Sequence, residues 1–213
     1  MSSRVQELAI YVGVALLSAA AGFAAVYVTL GSGDNVARRD RSTSAGVATD
    51  QRPAGRDRLN TGAMAAFVFK SAPEALPDVA FKDGEGSELT LKGWQGRVVL
   101  LNLWATWCAP CRKEMPALDR LQAELGSDRF EVVALAVDRA GAEGARKFLE
   151  ETGVKSLALY VDPTARAGTQ LKAIGLPTTI LIDRAGREVG RLTGPAEWDT
   201  AEAKRLIQSV IGG

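Results

Sequence analysis

The stretch Leu101–Pro116, "LNLWATWCAPCRKEMP", contains both cysteines of the 213-residue chain, Cys108 and Cys111, with two residues between them. Just before the cysteines, Val98–Trp104 ("VVLLNLW") is apolar except for one asparagine, which is typical of a strand buried on both faces. The residues from Cys108 to about Leu125 favour a helix with a proline in its first turn. The cysteines therefore lie where a buried strand gives way to a helix.

This junction favours redox chemistry. Free backbone N–H groups and the positive end of the helix dipole favour a thiolate at Cys108. Cys111 lies one turn further along the same face, near enough to attack a mixed disulfide on Cys108. A structural disulfide is the alternative, but a bond across four residues closes too small a loop to restrain the unfolded chain much. The spacing thus predicts a pair that cycles between dithiol and disulfide.

The composition excludes several classes of function. Lysine and arginine number 26 against 25 acidic residues, so no nucleic-acid partner is expected. The chain has no histidine, which excludes Ser–His and Cys–His catalysis. Two thiolates cannot complete a tetrahedral zinc shell unless two chains share one ion. No metal site and no cofactor are therefore expected.

The first sixty residues predict a membrane anchor and a tether. Residues 8–30 carry no charge and as a helix would span roughly 34 Å, enough to cross a bilayer. Residues 31–61 have too few large apolar side chains to build a core and are expected to form a flexible linker. A signal peptide cleaved after Ala21 is the alternative. Residues 1–7 would then be a cytoplasmic tail, although the basic residues near the span, counted alone, favour the opposite orientation.

Residues 62–213 alternate short apolar strands with helical segments, which predicts one α/β domain with a sheet covered on both faces. The expected helices are Gly62–Phe69, Cys108–Leu125, Ala142–Thr152, Ala165–Ala173 and Asp199–Ile211. The expected strands are Val79–Phe81, Leu89–Leu91, Val98–Trp104, Phe130–Val137, Leu157–Val161, Thr178–Ile182 and Glu188–Thr193.

Two motifs carry a resemblance to a known family. "WATWCAPC" after "VVLLNL", and "GLPTTILIDRAGREVGRL" further on, resemble the TlpA/ResA/CcmG group of thioredoxin-like proteins, which are anchored in the membranes of bacterial envelopes. "RKEMPAL" and "GPAEW" are most similar to the TlpA branch. The resemblance implies a thioredoxin-like fold, a central mixed sheet flanked by helices. It also implies a strand–helix insertion, which the segment Leu157–Ala173 would supply.

The resemblance also implies roles for individual residues. Cys108 would be the attacking thiol and Cys111 the resolving thiol. Pro177 corresponds to a cis-proline that faces the cysteines, and the backbone of Leu176 would pair with a substrate strand. The expected substrate-binding residues are Trp107, Ala109, Pro110, Leu176 and Pro177.

Glu114 matches an acid that ResA-like proteins place beside the active site. Near the sulfurs it would raise the pKa of a thiol and could carry the proton of Cys111. The alternative is a solvated charge that pairs with Lys113 or Arg120. Asn102 stands where thioredoxin keeps a buried acid, which leaves any proton-relay role to Glu114.

Alanine and proline between the cysteines add no cation to stabilise the thiolate, so a reductant is expected. In an oxidising envelope a reductant needs a membrane electron donor. TlpA-like proteins act on copper-site cysteines and copper chaperones during cytochrome oxidase assembly, and ResA- and CcmG-like proteins serve cytochrome c maturation. The expected protein is an inner-membrane reductase with its domain in the periplasm. A peroxidase and a non-enzymatic copper chaperone are the alternatives.

Overall fold

The computed structural model describes residues 59–213. The expected tail at residues 1–7, the span at 8–30 and all but the last three residues of the linker at 31–61 lie outside this part of the chain. Within residues 59–213, no helix is both long enough and apolar enough to cross a bilayer.

Eight strands form one mixed sheet in the order β1-β8-β7-β4-β5-β6-β2-β3. The strands are β1 Val68–Ala75, β2 Ala80–Asp83, β3 Glu88–Thr90, β4 Val98–Trp104, β5 Phe130–Ala136, β6 Tyr160–Val161, β7 Thr178–Ile182 and β8 Arg187–Thr193. The α-helices are α1 Ala109–Leu125, α2 Gly141–Glu151, α3 Arg166–Gln170 and α4 Ala201–Ile211, with short 3₁₀ helices at Gly62–Met64 and Leu91–Trp94.

Strand β4 is the centre of the domain. It pairs in parallel with β5 and antiparallel with β7, and all seven of its residues are buried. Its alternate side chains enter two apolar clusters: Leu100 and Trp104 face the cluster that includes residues of α1, α2 and α4, whereas Leu101 and Leu103 face the cluster that includes residues of α3. The sheet is therefore covered on both faces, as the apolar run predicted.

The strands next to the two motifs agree with the sequence analysis. Val98–Trp104 and Thr178–Ile182 match the expected bounds at both ends. The helix after the first motif begins one residue later than expected, because Cys108 is its N-cap. The expected insertion is present as β6 and α3, between α2 and β7.

The helix expected at Gly62–Phe69 is wrong. A single 3₁₀ turn at Gly62–Met64 leads instead into β1, which pairs with β8 at the edge of the sheet. Two features hide this strand in the sequence: Pro73 interrupts it, and its register against β8 shifts between Phe69 and Glu74. An edge strand exposed on much of its surface lacks the alternation that identifies a strand.

The insertion is also shorter than expected. The strand begins at Tyr160 rather than Leu157, because the backbone amides of Lys155, Ser156 and Leu157 bind Oδ1 of Asp119 on α1 at 2.6–3.1 Å. The helix α3 lacks the ends of its expected range, Ala165–Ala173. Ala165 and Lys172 both adopt positive φ, at 57° and 55°, which the right-handed helix does not allow.

Close approach of β8 to Phe67 and the start of β1 gives a test of this packing. A Cβ at Gly190 would lie 2.5 Å from Cε1 of Phe67 and 2.5 Å from the carbonyl oxygen of Val68. We expect Gly190→Ala to lower the free energy of unfolding by about 2 kcal/mol, measured by chemical denaturation, because backbone must move to make room.

The matched control is Gly168→Ala. Gly168 lies inside α3 with no atom near its missing Cβ, so alanine there should leave stability unchanged or raise it by about 0.5 kcal/mol. An unchanged denaturation midpoint for Gly190→Ala would contradict the packing described here.

Candidate active site

Cys108 and Cys111 form a disulfide at the N-terminus of α1. Cys108 is the N-cap residue, and its Sγ accepts a hydrogen bond from the backbone N–H of Cys111 at 3.3 Å. Cys108 is 4% exposed and Cys111 is fully buried. When the bond is reduced, the same N–H and the helix dipole favour the thiolate at Cys108, whereas burial disfavours a charge at Cys111.

The segment before β7 reaches the same edge of the sheet as the disulfide. Thr178, the first residue of β7, pairs with Leu103 near the end of β4, and the preceding Leu176–Pro177 bond is cis. The carbonyl of Pro177 accepts from the amide of Gly194 at 2.8 Å. Within residues 59–213, no hydrogen bond engages the amide or carbonyl of Leu176. The pairing of Leu176 with a substrate strand, which the family resemblance implies, stays a prediction.

The other expected substrate-binding residues surround Cys108 in the sequence. Trp107 is 74% exposed, which is unusual for an indole and is typical of a contact surface. Ala109 is exposed and Pro110 half-buried in the first turn of α1. Their contact with substrate stays a prediction.

Glu114 is buried inside the domain, at 3% exposure. Its Oε1 accepts from Nδ2 of Asn102 on β4 at 2.6 Å, and its Oε2 accepts from the amide of Ala196 at 3.1 Å. The alternative of a solvated charge is wrong because Glu114 is buried. Arg120, one of its expected partners, pairs with Asp199 instead, at 2.7 Å. Glu114 thus joins α1 to β4 and to the segment between β8 and α4.

Burial raises the pKa of Glu114 to about 7, because removal from water penalises the carboxylate. The hydrogen bonds from Ala196 and Asn102 oppose this shift, as does the nearby indole N–H of Trp198. That indole nitrogen has no acceptor in hydrogen-bond geometry, so its effect is the weakest of the three. Glu114 can therefore gain or lose a proton near neutral pH.

Asn102 can serve both protonation states of Glu114. Its Nδ2 donates to Glu114 and to Oγ1 of Thr179, while its Oδ1 is buried without a partner. Rotation of the amide by 180° would present Oδ1 to a protonated Glu114, which could then donate to it. The amide of Asn102 can therefore form a hydrogen bond with Glu114 whether the carboxyl group is charged or protonated.

Asp138, an anchor of the site, was not predicted from the sequence. Oδ2 of Asp138 accepts from the amide and the hydroxyl of Thr106, two residues before Cys108, at 2.6 and 2.7 Å. A signal was present: Asp138 follows the apolar run of a strand parallel to β4, and the carboxyl ends of parallel strands meet at one edge. Arg112, which could have steadied the thiolate, instead pairs with Glu151 and lies over the ring of Phe148.

The redoxin family model matches residues 71–207, the part of the chain that builds this fold and this site. The chain belongs to the redoxin family. The thiol:disulfide interchange protein HelX of Rhodobacter capsulatus is 35% identical to this redoxin over 148 residues, which are 70% of this chain and 79% of HelX. The thiol-disulfide oxidoreductase ResA of Bacillus thuringiensis is 31% identical over 118 residues, 55% of this chain and 67% of ResA.

A solved structure agrees with these relatives. The thiol:disulfide interchange protein DsbE from Chlorobium tepidum superposes with a TM-score of 0.58 at 30% identity, covering 66% of this chain and 97% of that one. This redoxin is a thiol-disulfide oxidoreductase with a TlpA/ResA/CcmG-like thioredoxin fold, and Cys108 and Cys111 are its CxxC pair.

The raised pKa of Glu114 gives a pH-dependent contribution to stability. The folded protein holds this proton up to about pH 7, whereas the unfolded chain releases it near 4.5, so stability falls as pH rises between these values. Relative to the disulfide-bonded wild type, Glu114→Gln should become more stable by about 3 kcal/mol between pH 4 and pH 8, measured by urea unfolding.

Glu150→Gln, a change at an exposed glutamate of α2, is the matched control and should show no such trend. Parallel stability curves for wild type and Glu114→Gln across this pH range would show that Glu114 does not titrate there.

Proposed function

We propose that the protein is a membrane-anchored reductant of disulfides in bacterial envelope proteins. The observation that carries this proposal is the Cys108–Cys111 pair at the N-terminus of α1, with no cation between the cysteines and a buried glutamate one turn further on.

The exchange follows from the arrangement of the two sulfurs. The Cys108 thiolate attacks one sulfur of a substrate disulfide, that S–S bond breaks, and the leaving thiolate takes up a proton. Cys111 then gives up its proton and attacks Cys108, which releases the second substrate thiolate. Two electrons pass to the substrate, and the Cys108–Cys111 disulfide remains. Glu114 is the proposed acceptor of the Cys111 proton.

The charges around the pair support reduction rather than oxidation. A dithiol gives up electrons readily when its thiolate is weakly stabilised. Ala109 and Pro110 add no positive charge, and the guanidinium of Arg112 is engaged by Glu151 at 3.1 Å. An ionised Glu114 would oppose a second negative charge nearby. Each feature favours the disulfide form of the protein and hence reduction of its partners.

The location rests on the sequence. Residues 8–30 would anchor the chain in the inner membrane, residues 31–61 would tether the domain, and residues 62–213 would act in the periplasm. Reduction in an oxidising compartment consumes electrons, so a membrane protein that re-reduces the Cys108–Cys111 disulfide is part of the proposal.

Two substrate classes are proposed. The motifs "RKEMPAL" and "GPAEW" favour the copper-site cysteines or copper chaperones on which TlpA-like proteins act. The similarity to ResA favours the cysteines of apocytochrome c. A copper chaperone is disfavoured because the chain offers copper(I) two thiolates, no histidine and three methionines.

Trapping identifies the substrates. Cys111→Ser removes the resolving thiol, so it should hold mixed disulfides between Cys108 and its partners, recovered from the membrane fraction after acid quenching and separated without reductant. The control is Cys108→Ser combined with Cys111→Ser.

Mass spectrometry of the adducts would separate copper-site proteins from apocytochromes. If the single variant gives no adducts beyond those of the double variant, the proposed reductase activity is wrong. Copper retained by the reduced wild-type protein through gel filtration would favour the chaperone instead.

Substitution of Pro110 tests the direction of electron flow. Pro110→His places an imidazole between the cysteines, which should stabilise the Cys108 thiolate and make the disulfide easier to reduce. We expect the equilibrium constant with reduced and oxidised glutathione to shift at least tenfold toward the dithiol. Gln208→His, on the exposed face of α4, should leave it unchanged; an equal shift in both variants would exclude this explanation of the reducing character.

A further inference from the structure

The turn Ala105–Trp107, which we call the redox turn, joins β4 to α1 and ends at Cys108. Within residues 59–213, only Asp138 connects this turn by hydrogen bonds to another part of the fold. The remaining bond, from the amide of Cys108 to the carbonyl of Ala105 at 3.1 Å, closes the turn on itself.

Asp138 is placed for this contact by the parallel pairing of β4 and β5. Trp104 pairs with Ala136, and the amide of Val137 donates to the carbonyl of Trp104 at 2.8 Å. Asp138 therefore follows at the same edge, 7% exposed, with Oδ2 on Thr106 and Oδ1 accepting from the amide of Ala140 at 3.0 Å. One carboxylate thus ties the redox turn to the start of α2.

A second buried aspartate has the same set of donors without this connection. Asp162, 3% exposed after β6, accepts from the amide and hydroxyl of Thr164 and from the amide of Ala167. All its donors lie within five residues of it, at the start of α3. The chain thus provides a structural match for Asp138 that holds no part of the redox turn.

We propose that Asp138 is a positioning residue for thiol-disulfide exchange, acting through Thr106. Its carboxylate fixes the redox turn, so that Cys108 Sγ stays at the N-terminus of α1 and Trp107 stays on the approach to it. Trp107 lines an open depression of about 500 Å³ together with Thr106 and Asp138. Loss of the carboxylate would therefore disturb both the attacking sulfur and its main exposed neighbour.

The carboxylate also acts through its charge. It lies one hydrogen bond from a residue two positions before Cys108, so it opposes the negative charge of the thiolate. The other charged groups around the turn are Arg139, which lines the same depression, Arg112, which pairs with Glu151, and Glu114, buried against Asn102. Removal of the charge alone should thus make the Cys108 thiolate easier to form, whereas loss of the hydrogen bonds to Thr106 should misplace the sulfur.

Loss of the hydrogen bonds should slow disulfide reduction, whereas loss of the charge should ease formation of the thiolate. The two effects can therefore be measured separately. In the full-length protein in detergent, Asp138→Ala should slow the reduction of insulin about tenfold, since small misplacements of reacting atoms are costly. Asp138→Asn, which removes the charge but keeps one acceptor oxygen, should lower the pH midpoint for iodoacetamide labelling of Cys108, measured by mass spectrometry after reduction. A loss of stability alone would instead move this midpoint up, toward that of an unperturbed thiol.

Two further variants separate charge, position and stability. Asp138→Asn should also lose less insulin reduction than Asp138→Ala, because its remaining acceptor oxygen can still hold part of the turn. Asp162→Ala should lower the denaturation midpoint as much as Asp138→Ala, yet keep insulin reduction within twofold of wild type and leave the labelling midpoint unchanged. Equal losses of insulin reduction in Asp138→Ala and Asp162→Ala, or an unshifted labelling midpoint in Asp138→Asn, would overturn the proposal.

Discussion

The single constraint on which the rest of this structure depends is the burial of β4 on both faces. A strand without a solvent-facing side must lie in the middle of the sheet, so its carboxyl end opens at the centre of one edge. There the chain leaves the sheet and starts α1, with Cys108 as the N-cap. One of the N–H groups that a helix leaves unpaired at its start, that of Cys111, then meets the sulfur of Cys108 instead of water. The position of the redox pair is thus a consequence of the central strand.

The same strand carries the polar group that makes Glu114 tolerable inside the domain. Asn102 lies on the face of β4 that α1 covers, between Leu100 and Trp104, so its amide meets the carboxyl group on the helix. Removal of a charged carboxylate from water at this depth outweighs the stabilisation from its two hydrogen bonds, so burial raises the pKa of Glu114 to about 7. Because Glu114 also binds the amide of Ala196, and Gly194 in the same segment binds the carbonyl of Pro177, this acid is linked to the cis-proline segment before β7.

The sequence was sufficient for the parts of the fold that a strong apolar pattern specifies. The bounds of β4 and β7 and the start of α1 follow from apolar runs beside cysteine and proline motifs. Edge strand β1 could not be predicted, because its formation depends on pairing with β8, more than a hundred residues away, and its exposed surface leaves no periodic signal. The site shows the same division. The cysteines were found from their spacing and Glu114 from the family resemblance, whereas Thr106 and Asp138 are 32 residues apart and meet only through the parallel pairing of β4 and β5.

The hydrogen-bond donors around Asp138 and Glu114, two buried carboxyl groups, suit them to different proposed tasks. Asp138 accepts from two backbone amides, which hold a fixed geometry and always donate, and from the hydroxyl of Thr106. Glu114 accepts from one amide and from an asparagine side chain that can present either its nitrogen or its oxygen. The first arrangement suits a permanent anchor for the redox turn, and the second suits a group that exchanges a proton. The proposed exchange would use both, because the attacking sulfur must stay in place while the proton of the resolving thiol leaves and returns.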